Sequence, residues 1–402
     1  MSSRIHRRGV LSTAVVGASA LSGCLSILPS VDSDRPLPNV PTGAWTQYGA
    51  NGGNTFTPGV SAPSDGNLAW TSAAFTRFQP AVADGVVYMT NFDPSHDGSV
   101  IALDGQDGTE QWRTTLNASG ANGIAIVDHH CFVGYDGELV ALNATTGDRI
   151  WTKSTTGFEQ LVADDATGTV FVVSNTSIAA FSAADGERRW ETDTLQPVHA
   201  PAIHDGRVFA VGYVDETPSL VCLAVSDGST RWQRELSAIP EAAAPVVTTE
   251  GVFLSDDRTL VVHERETGDR QRELYSFAEA FGSPTTVAVT DQTVFANSAS
   301  GIRAIDSETG TERWHRAESV SYPVGLCVGT ETVVVPIDDP EFAPQKKTIS
   351  AFDRNTGAMR WHYAFDPGFH HHVTASPVVV DGAVFFTATH IDGLGALGDV
   401  PS

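Results

Sequence analysis

Lysine is almost missing from this chain: Lys153, Lys346 and Lys347 are the only three in 402 residues. Twenty-four Lys and Arg together stand against 48 Asp and Glu, for a net charge of −24. A chain so poor in cations cannot neutralise a phosphate backbone, which excludes nucleic acid as a partner. Such a surface repels itself in dilute buffer but suits molar salt, where the screening length shrinks to roughly 3 Å. The composition therefore predicts a halophilic, haloarchaeal protein. Cysteine is scarce too, with Cys24, Cys131, Cys222 and Cys327 the only four. The last three each lie in an apolar run, without Cys-x-x-Cys spacing, which predicts buried free thiols in place of a disulfide framework or thiolate metal site. No Ser-His-Asp order, phosphate loop or basic aromatic stripe is present, so hydrolase and nucleotide readings have no support.

The N-terminus supplies the first positive signals. Arg7-Arg8 precede an uncharged stretch from Val10 to Leu21, too short to span a bilayer comfortably, which ends in Leu21-Ser22-Gly23-Cys24. The order resembles a twin-arginine export signal followed by a lipobox. Residues 1–23 are thus expected to be a Tat-type lipoprotein signal peptide, with Cys24 as the lipidated first residue of the exported chain. That places the protein on the outer face of the cytoplasmic membrane. Residues 24–43, rich in Pro, Ser and Asp, read as an extended tether.

From about residue 66 one unit recurs. Its second half reads Val100-Ile-Ala-Leu-Asp-Gly-Gln-Asp-Gly-Thr-Glu-Gln-Trp112, then Leu139-Val-Ala-Leu-Asn-Ala-Thr-Thr-Gly-Asp-Arg-Ile-Trp151, then Ile178-Ala-Ala-Phe-Ser-Ala-Ala-Asp-Gly-Glu-Arg-Arg-Trp190. Further copies end at Trp232, Trp314 and Trp361; a decayed copy carries Arg272 where Trp belongs, and Trp70 marks an earlier strand end. These marks recur every 39 to 47 residues, a blade-sized period. Short runs such as Val86-Val-Tyr-Met and Val384-Phe-Phe-Thr are strands by composition and bounding turns. The Gly before each Trp supplies a positive-φ turn, the Asp of Leu-Asp can bond that turn, and the indole is expected between neighbouring blades. The tryptophans are structural.

Eight first-half strands centre on Tyr88, Phe132, Phe171, Phe209, Phe253, Phe295, Val334 and Phe385, but only seven complete turn-and-Trp segments follow them. The eighth unit ends in Gly393-Leu-Gly-Ala-Leu-Gly398, while Leu68-Ala69-Trp70 is a spare strand at the other end. The prediction is an all-β, eight-bladed β-propeller over residues 44–402, built of four-stranded antiparallel blades and closed by pairing of its two termini.

The repeats, with the lead-in Trp45-Thr-Gln-Tyr-Gly-Ala-Asn-Gly-Gly-Asn-Thr, resemble the pyrroloquinoline-quinone-like (PQQ-like) propeller family. That family includes quinoprotein dehydrogenases and BamB-type outer-membrane assembly lipoproteins, so the resemblance implies fold before function. A quinoprotein would bring PQQ, Ca²⁺, an aspartate base, insertions over the central funnel and often a Cys-Cys pair. None of these is visible here, so no cofactor or metal is expected and PQQ with Ca²⁺ belongs to the alternative reading, a dehydrogenase of alcohols or sugars. Asp93, Asp97, Asp338, Asp339 and Glu341 are the only loop acids that hint at calcium, and they read as solvated loops.

The first residues of the innermost strands should ring the channel: Gln79, Gly123, Gln160, Ala200, Ala244, Ser283, Tyr322 and Ser376, of which Gln79, Gln160, Ser283, Tyr322 and Ser376 are candidates to meet a small ligand or a partner loop. His370 and His372 could share a face near the channel mouth, whereas His371 would point away. His129 and His130 read as turn residues. Three glycosylation sequons begin at Asn117, Asn143 and Asn175; Asn143 holds the Asp position of a turn, and Asn117 alone is expected to be freely exposed. The function expected is a non-catalytic binding or protein-assembly scaffold whose partner or ligand the sequence does not name.

Overall fold

The computed structural model describes residues 35–402, apart from positions 75, 77, 92–97, 117–122, 136, 156, 158–159, 241–243, 278–285, 299, 322–323, 367–371 and 392. Cys24, Asn117, Ser283, Tyr322, His370, Asp93 and Asp97 lie outside the described residues. Eight antiparallel sheets follow one another along the chain as the blades of an eight-bladed propeller. Blade 1 consists of Ala81–Ala83, Val86–Asn91, Ser99–Asp104 and Glu110–Thr115, numbered outward from the axis. Blades 2 to 7 repeat this order over residues 124–154, 160–192, 202–235, 246–276, 286–316 and 327–365. Blade 4 carries one extra pair, Gln196–Pro197 against Tyr213 and Gly212. The only helix among the described residues is a single 3-10 turn, Thr389–Ile391, so none is long and apolar enough to cross a membrane.

Blade 8 is made from both ends of the chain. Val378–Val380, Ala383–Ala388 and Gly393–Gly398 supply three strands, and Asn67–Ser72 is the fourth, with Asn67 opposite Gly398 and Ser72 opposite Leu394. The predicted closure is therefore the one observed. The fourth strands of blades 1 to 7 are charged, as in Arg188-Arg-Trp-Glu-Thr192, which discourages edge-to-edge association. Asn67–Ser72 has no charge, and here Arg35 donates its N–H to Ala69 O. Leu37 follows, 2% exposed, with its N–H on Gln106 O. Residues 35–43, read from the sequence as the end of a tether, thus lie against the fold.

One side-chain stack explains the repeat. In register across the second, third and fourth strands stand Tyr88-Ala102-Trp112, Phe132-Ala141-Trp151, Phe171-Ala180-Trp190, Phe295-Ala304-Trp314 and Phe385-Ala396-Trp70. The small central residue lets the two rings approach to centroid separations of 5.7 to 6.0 Å. Every repeat indole but that of Trp70 then donates to a carbonyl of the next blade, as Trp112 Nε1 does to Ala144 O at 2.8 Å, Trp190 to Val225 O at 2.7 Å and Trp361 to Pro63 O at 2.8 Å, while Trp70 Nε1 finds no partner. The turn glycine of the following blade lies on the ring, so that a Cβ at Gly147 would come within 2.6 Å of Trp112 and one at Gly228 within 2.6 Å of Trp190. That glycine is required twice, for its φ near 70° and for the face it leaves open. In the decayed repeat Arg272 keeps half of the function, its guanidinium donating to Ser307 O at 2.8 Å.

Candidate functional site: the axis and the strap across it

The lead-in segment does something its sequence does not announce. Residues 42–61 run around one end of the axis and pair with the inner strand of each blade in turn. Thr42 bridges Asp381 of blade 8, and Trp45 exchanges both backbone bonds with Val82 of blade 1. Thr46 O then accepts from Ile126, Gly52 O from Ile203, Gly53 O from Val247, Thr55 O from Val289 and Phe56 O from Val328, in blades 2, 4, 5, 6 and 7. Blade 3 is met by a side chain imitating a strand: Gln47 Nε2 donates to Ala163 O at 3.0 Å and its Oε1 accepts from Ala163 N at 2.5 Å. This strap closes that end of the channel and satisfies inner-strand groups that would otherwise be left unpaired.

The strap must turn sharply, which puts Ala50, Asn54 and Phe56 at φ of 76°, 53° and 54°. Such a conformation is costly for a bulky residue and persists where the surroundings over-determine it. Phe56 is 3% exposed, edge-on to both Trp45 and Tyr48, and its N–H is held by Gly49 O.

On the strap side the first-to-second-strand turns carry an exposed acid in every blade: Asp84, Asp128, Asp165, Asp205, Glu250, Asp291, Glu331 and Asp381. Between several of these turns and the strap lies an open cleft of about 1370 Å³ that His129 and His204 also line. Arg265 Nη1 bonds both His204 Nδ1 at 2.8 Å and Asp205 Oδ2 at 2.9 Å, and that contact holds the Asp205 carboxyl below its ordinary range. The cleft is an acidic surface suited to cations and repellent to anions. His129 is a turn residue as expected, whereas His130 is not: it opens the second strand of blade 2, with its Nδ1 on Asp128 O.

At the opposite end lie the predicted ring positions. Gln79 is half-buried, its Nε2 spanning to Ser376 O at 3.2 Å and Pro377 O at 3.4 Å. Ser376 uses its hydroxyl to accept from Gly325 N at 2.8 Å. Gln160 opens the inner strand of blade 3 and is half-buried. Ala200 and Ala244 are buried, 2% and 5% exposed. The structure thus brings Gln79 and Ser376 together and leaves Gln160 apart from them. The strap reaches this end as well, because Asn54 Nδ2 donates to Ala200 O, Pro201 O and Pro245 O at 3.1 to 3.3 Å. Sequence reasoning missed Asn54 and Gln47; an Asn and a Gln inside a Gly-rich lead-in were the only signal.

His372 is exposed, with its backbone N–H on Thr389 Oγ1. Asp338 is engaged by Ser321 Oγ and Lys347, Asp339 accepts from Gln345 N, and no cluster of three or more His, Cys, Asp or Glu is placed to hold a metal among the described residues. Cys131, Cys222 and Cys327 are free and buried, as expected, and burial pushes the Cys222 thiol up to about 12. Asn143 serves its turn, accepting from Thr145 N and Thr146 N, while Asn175 proves exposed, so the expectation that Asn117 stands alone in this does not hold.

The PQQ implied by the fold can be tested against these residues. It is a tricarboxylate and needs cations around it. The described axial positions are uncharged, the amide nitrogen of Gln79 is spent on carbonyls, Ser376 Oγ accepts from Gly325 N, and the large cleft is walled by carboxylates. The described residues do not fit the quinone.

The sequence profile of the family described as outer membrane protein assembly factor BamB matches residues 58–177, 174–321 and 276–400. The chain belongs to that family. Among solved structures, BamB from Moraxella catarrhalis superposes with a TM-score of 0.63 at 16% identity, covering 82% of this chain and 96% of that one. Quinohemoprotein alcohol dehydrogenase from Comamonas testosteroni gives 0.65 at 14% identity, covering 86% and 76%. A europium-containing methanol dehydrogenase gives 0.63 at 13%, covering 86% and 89%. At these identities the likeness establishes the PQQ-like propeller fold alone. A curated relative, the serine/threonine-protein kinase AfsK of Streptomyces coelicolor, is 28% identical over 196 residues, which are 46% of this chain but 23% of the kinase.

Proposed function

We propose that this propeller is an exported, membrane-anchored platform that binds or assembles a partner and does not catalyse. The observation that carries the reading is the strap: it closes one end of the axis by pairing with every blade, while the described residues at the other end offer no charge with which to hold the quinone. A dehydrogenase of this fold would need the opposite, a cation-lined pocket for a tricarboxylate beside a metal. The twin-arginine and Leu-Ser-Gly-Cys24 signals support export through the Tat system and lipidation at Cys24 on the outer face of the cytoplasmic membrane. The BamB relationship supports a scaffolding role, and the partner is a protein segment or a small ligand.

Titration of the native protein in molar salt with PQQ and Ca²⁺ tests this directly. Neither a quinone spectral shift nor thermal stabilisation is expected. Saturable binding would stabilise the native state by mass action and establish the dehydrogenase reading instead. Cys24→Ser is expected to release the protein from membranes into the soluble fraction; a variant that stays membrane-bound would refute the lipid anchor.

A further inference from the structure

The fold treats the two described glycosylation sequons in opposite ways. Asn143-Ala144-Thr145 lies in the turn between the third and fourth strands of blade 2. Asn143 is half-buried, its Oδ1 accepts from Thr145 N at 2.9 Å and Thr146 N at 3.0 Å, and its backbone N–H goes to Asp148 O at 2.8 Å. Ala144, the middle residue, is 6% exposed; its carbonyl takes the Trp112 indole at 2.8 Å and its N–H goes to His129 O at 2.9 Å. Gly147 of the same turn lies on the Trp112 ring. Opening this sequon for an enzyme therefore means pulling apart the seam between blades 1 and 2.

Asn175-Thr176-Ser177 is displayed instead. It forms the tip of the hairpin between the second and third strands of blade 3, where Val173 and Ile178 are the last ladder pair, and Val173 also stands opposite Gln160, so the tip points away from the strap. Asn175 and Thr176 are exposed, and the Asn175 side chain has no hydrogen-bond partner among the described residues. The hydroxyl of the third residue, which a transferase must engage along with the amide, is tucked in: Ser177 Oγ lies 3.0 Å from Ser174 Oγ and donates to Glu191 Oε1 at 3.2 Å. The bonds that close the tip are local, Ser174 N to Ser177 O at 3.0 Å and Ser177 N to Ser174 Oγ at 3.0 Å. Fraying residues 174–177 presents the whole sequon and leaves the Val173 to Ile178 pair in place, and such openings lie at the low end of local stability.

We propose that Asn175 carries an N-linked glycan, added to the folded chain outside the membrane, and that Asn143 stays bare. The inference rests on the export reading above: a twin-arginine substrate crosses the membrane already folded, so the fold and not the bare motif decides which sequon a transferase can reach. The donor is an oligosaccharide carried on a polyisoprenoid phosphate or diphosphate. The Asn175 Nδ2 bonds to the anomeric carbon of the first sugar, the bond from that carbon to the phosphate oxygen breaks, the lipid phosphate leaves with the electron pair, and the amide gives up one proton. Nothing is oxidised or reduced. The amide keeps its carbonyl oxygen, and the bulky, solvated glycan stands clear of the blades because its attachment point is a hairpin tip.

The test is to express the full chain in a cell that exports twin-arginine substrates and whose own surface proteins are verified to carry N-linked glycans, then to map the purified membrane fraction by peptide mass spectrometry. A glycan mass on the peptide containing Asn175 and none on the peptide containing Asn143 is the expected result. Asn175→Gln should abolish the first and leave the melting temperature of the unglycosylated protein unchanged, since that side chain bonds nothing in the fold. A bare Asn175 on a chain that is membrane-bound and lipidated at Cys24 overturns the proposal and leaves the export reading standing. A glycan confined to Asn117, or one found on Asn143, counts against it in the same way. A chain that keeps residues 1–23 and stays inside the cell overturns the export reading, and the proposal with it.

Discussion

Replacing Gly53 by alanine should loosen the strap. Its backbone is not in the left-handed region, so conformation alone would tolerate a side chain. The obstacle is contact: a Cβ there would lie 2.4 Å from Val247 O, an atom fixed in the inner strand of blade 5. Since the strand cannot yield, the strap must lift by about 1 Å to restore ordinary contact. Lifting breaks the 2.8 Å bond from Val247 N to Gly53 O and disturbs the neighbouring Asn54, which donates to three carbonyls. One net hydrogen bond at about 1 kcal/mol, plus partial loss around a buried amide at about 1–3 kcal/mol, gives roughly 2–4 kcal/mol. With an unfolding entropy near 2 cal/mol/K per residue, that is a melting shift of about 3–5 °C for a domain of this size. Gly59→Ala is the control: it sits at φ 75° with nothing within 4 Å of its Cβ, and should cost only the conformational term of about 1 kcal/mol. Melting in molar KCl, with amide exchange of the peptide containing Val247, reads both. If Gly53→Ala melts with Gly59→Ala and Val247 exchanges no faster, the strap is not held as argued.

Two further outcomes follow from the blades. Truncation before Leu394 removes the strand that pairs with both Asn67–Ser72 and Ala383–Ala388, and with it the fully buried Leu394, Ala396 and Leu397. At about 1.5–3 kcal/mol for each leucine, before counting the ladder, the propeller should lose its cooperative melt, and a normal transition would refute the closure. His263 fills the position held by Leu103 and Leu142 in blades 1 and 2, is 4% exposed, and bonds Gly268 O through Nδ1 at 2.8 Å. Burial is the main force lowering its pKa; the Gly268 bond opposes it, Arg270 and Arg234 assist, and Asp256 opposes. The folded state therefore binds the proton less readily than the unfolded chain, so the stability is whole above about 6.5 and falls as pH drops through that value toward the lower folded pKa. His263→Leu should raise the melting temperature more at pH 5.5 than at pH 8, and equal gains at both would show that the histidine does not titrate in this window.

The blade count, the closure and the tryptophan seams were legible because each is written locally. A turn glycine, an Asp or Asn bonding the turn and a Trp four residues later recur at fixed spacing, and the pattern survives Arg272 because seven other copies define the frame. The double role of the glycine was half legible: its positive φ follows from the turn, but the indole lying on it belongs to the preceding blade, some forty residues away. The strap was not legible at all. Thr42 to Ser61 has no alternation and bonds partners from Val82 to Asp381, so nothing local encodes its route. The axial ring was found by position, yet its chemistry was not, since Gln79 and Ser376 meet only when the first and last blades close.

The sequence by itself determined the repeat, the strand order within each blade, the free buried thiols and the acidic surface, because these depend on period, turn chemistry and composition. Only the tertiary structure decided that the lead-in crosses the axis, that its Asn54 and the first blade's Gln79 spend their nitrogens on carbonyls of other blades, and that the inner strands are covered at one end. The physical reason is the ring itself. Closing eight sheets around an axis brings together groups hundreds of residues apart, and what those groups can bind is fixed by which of them remain unpaired once the ring has closed.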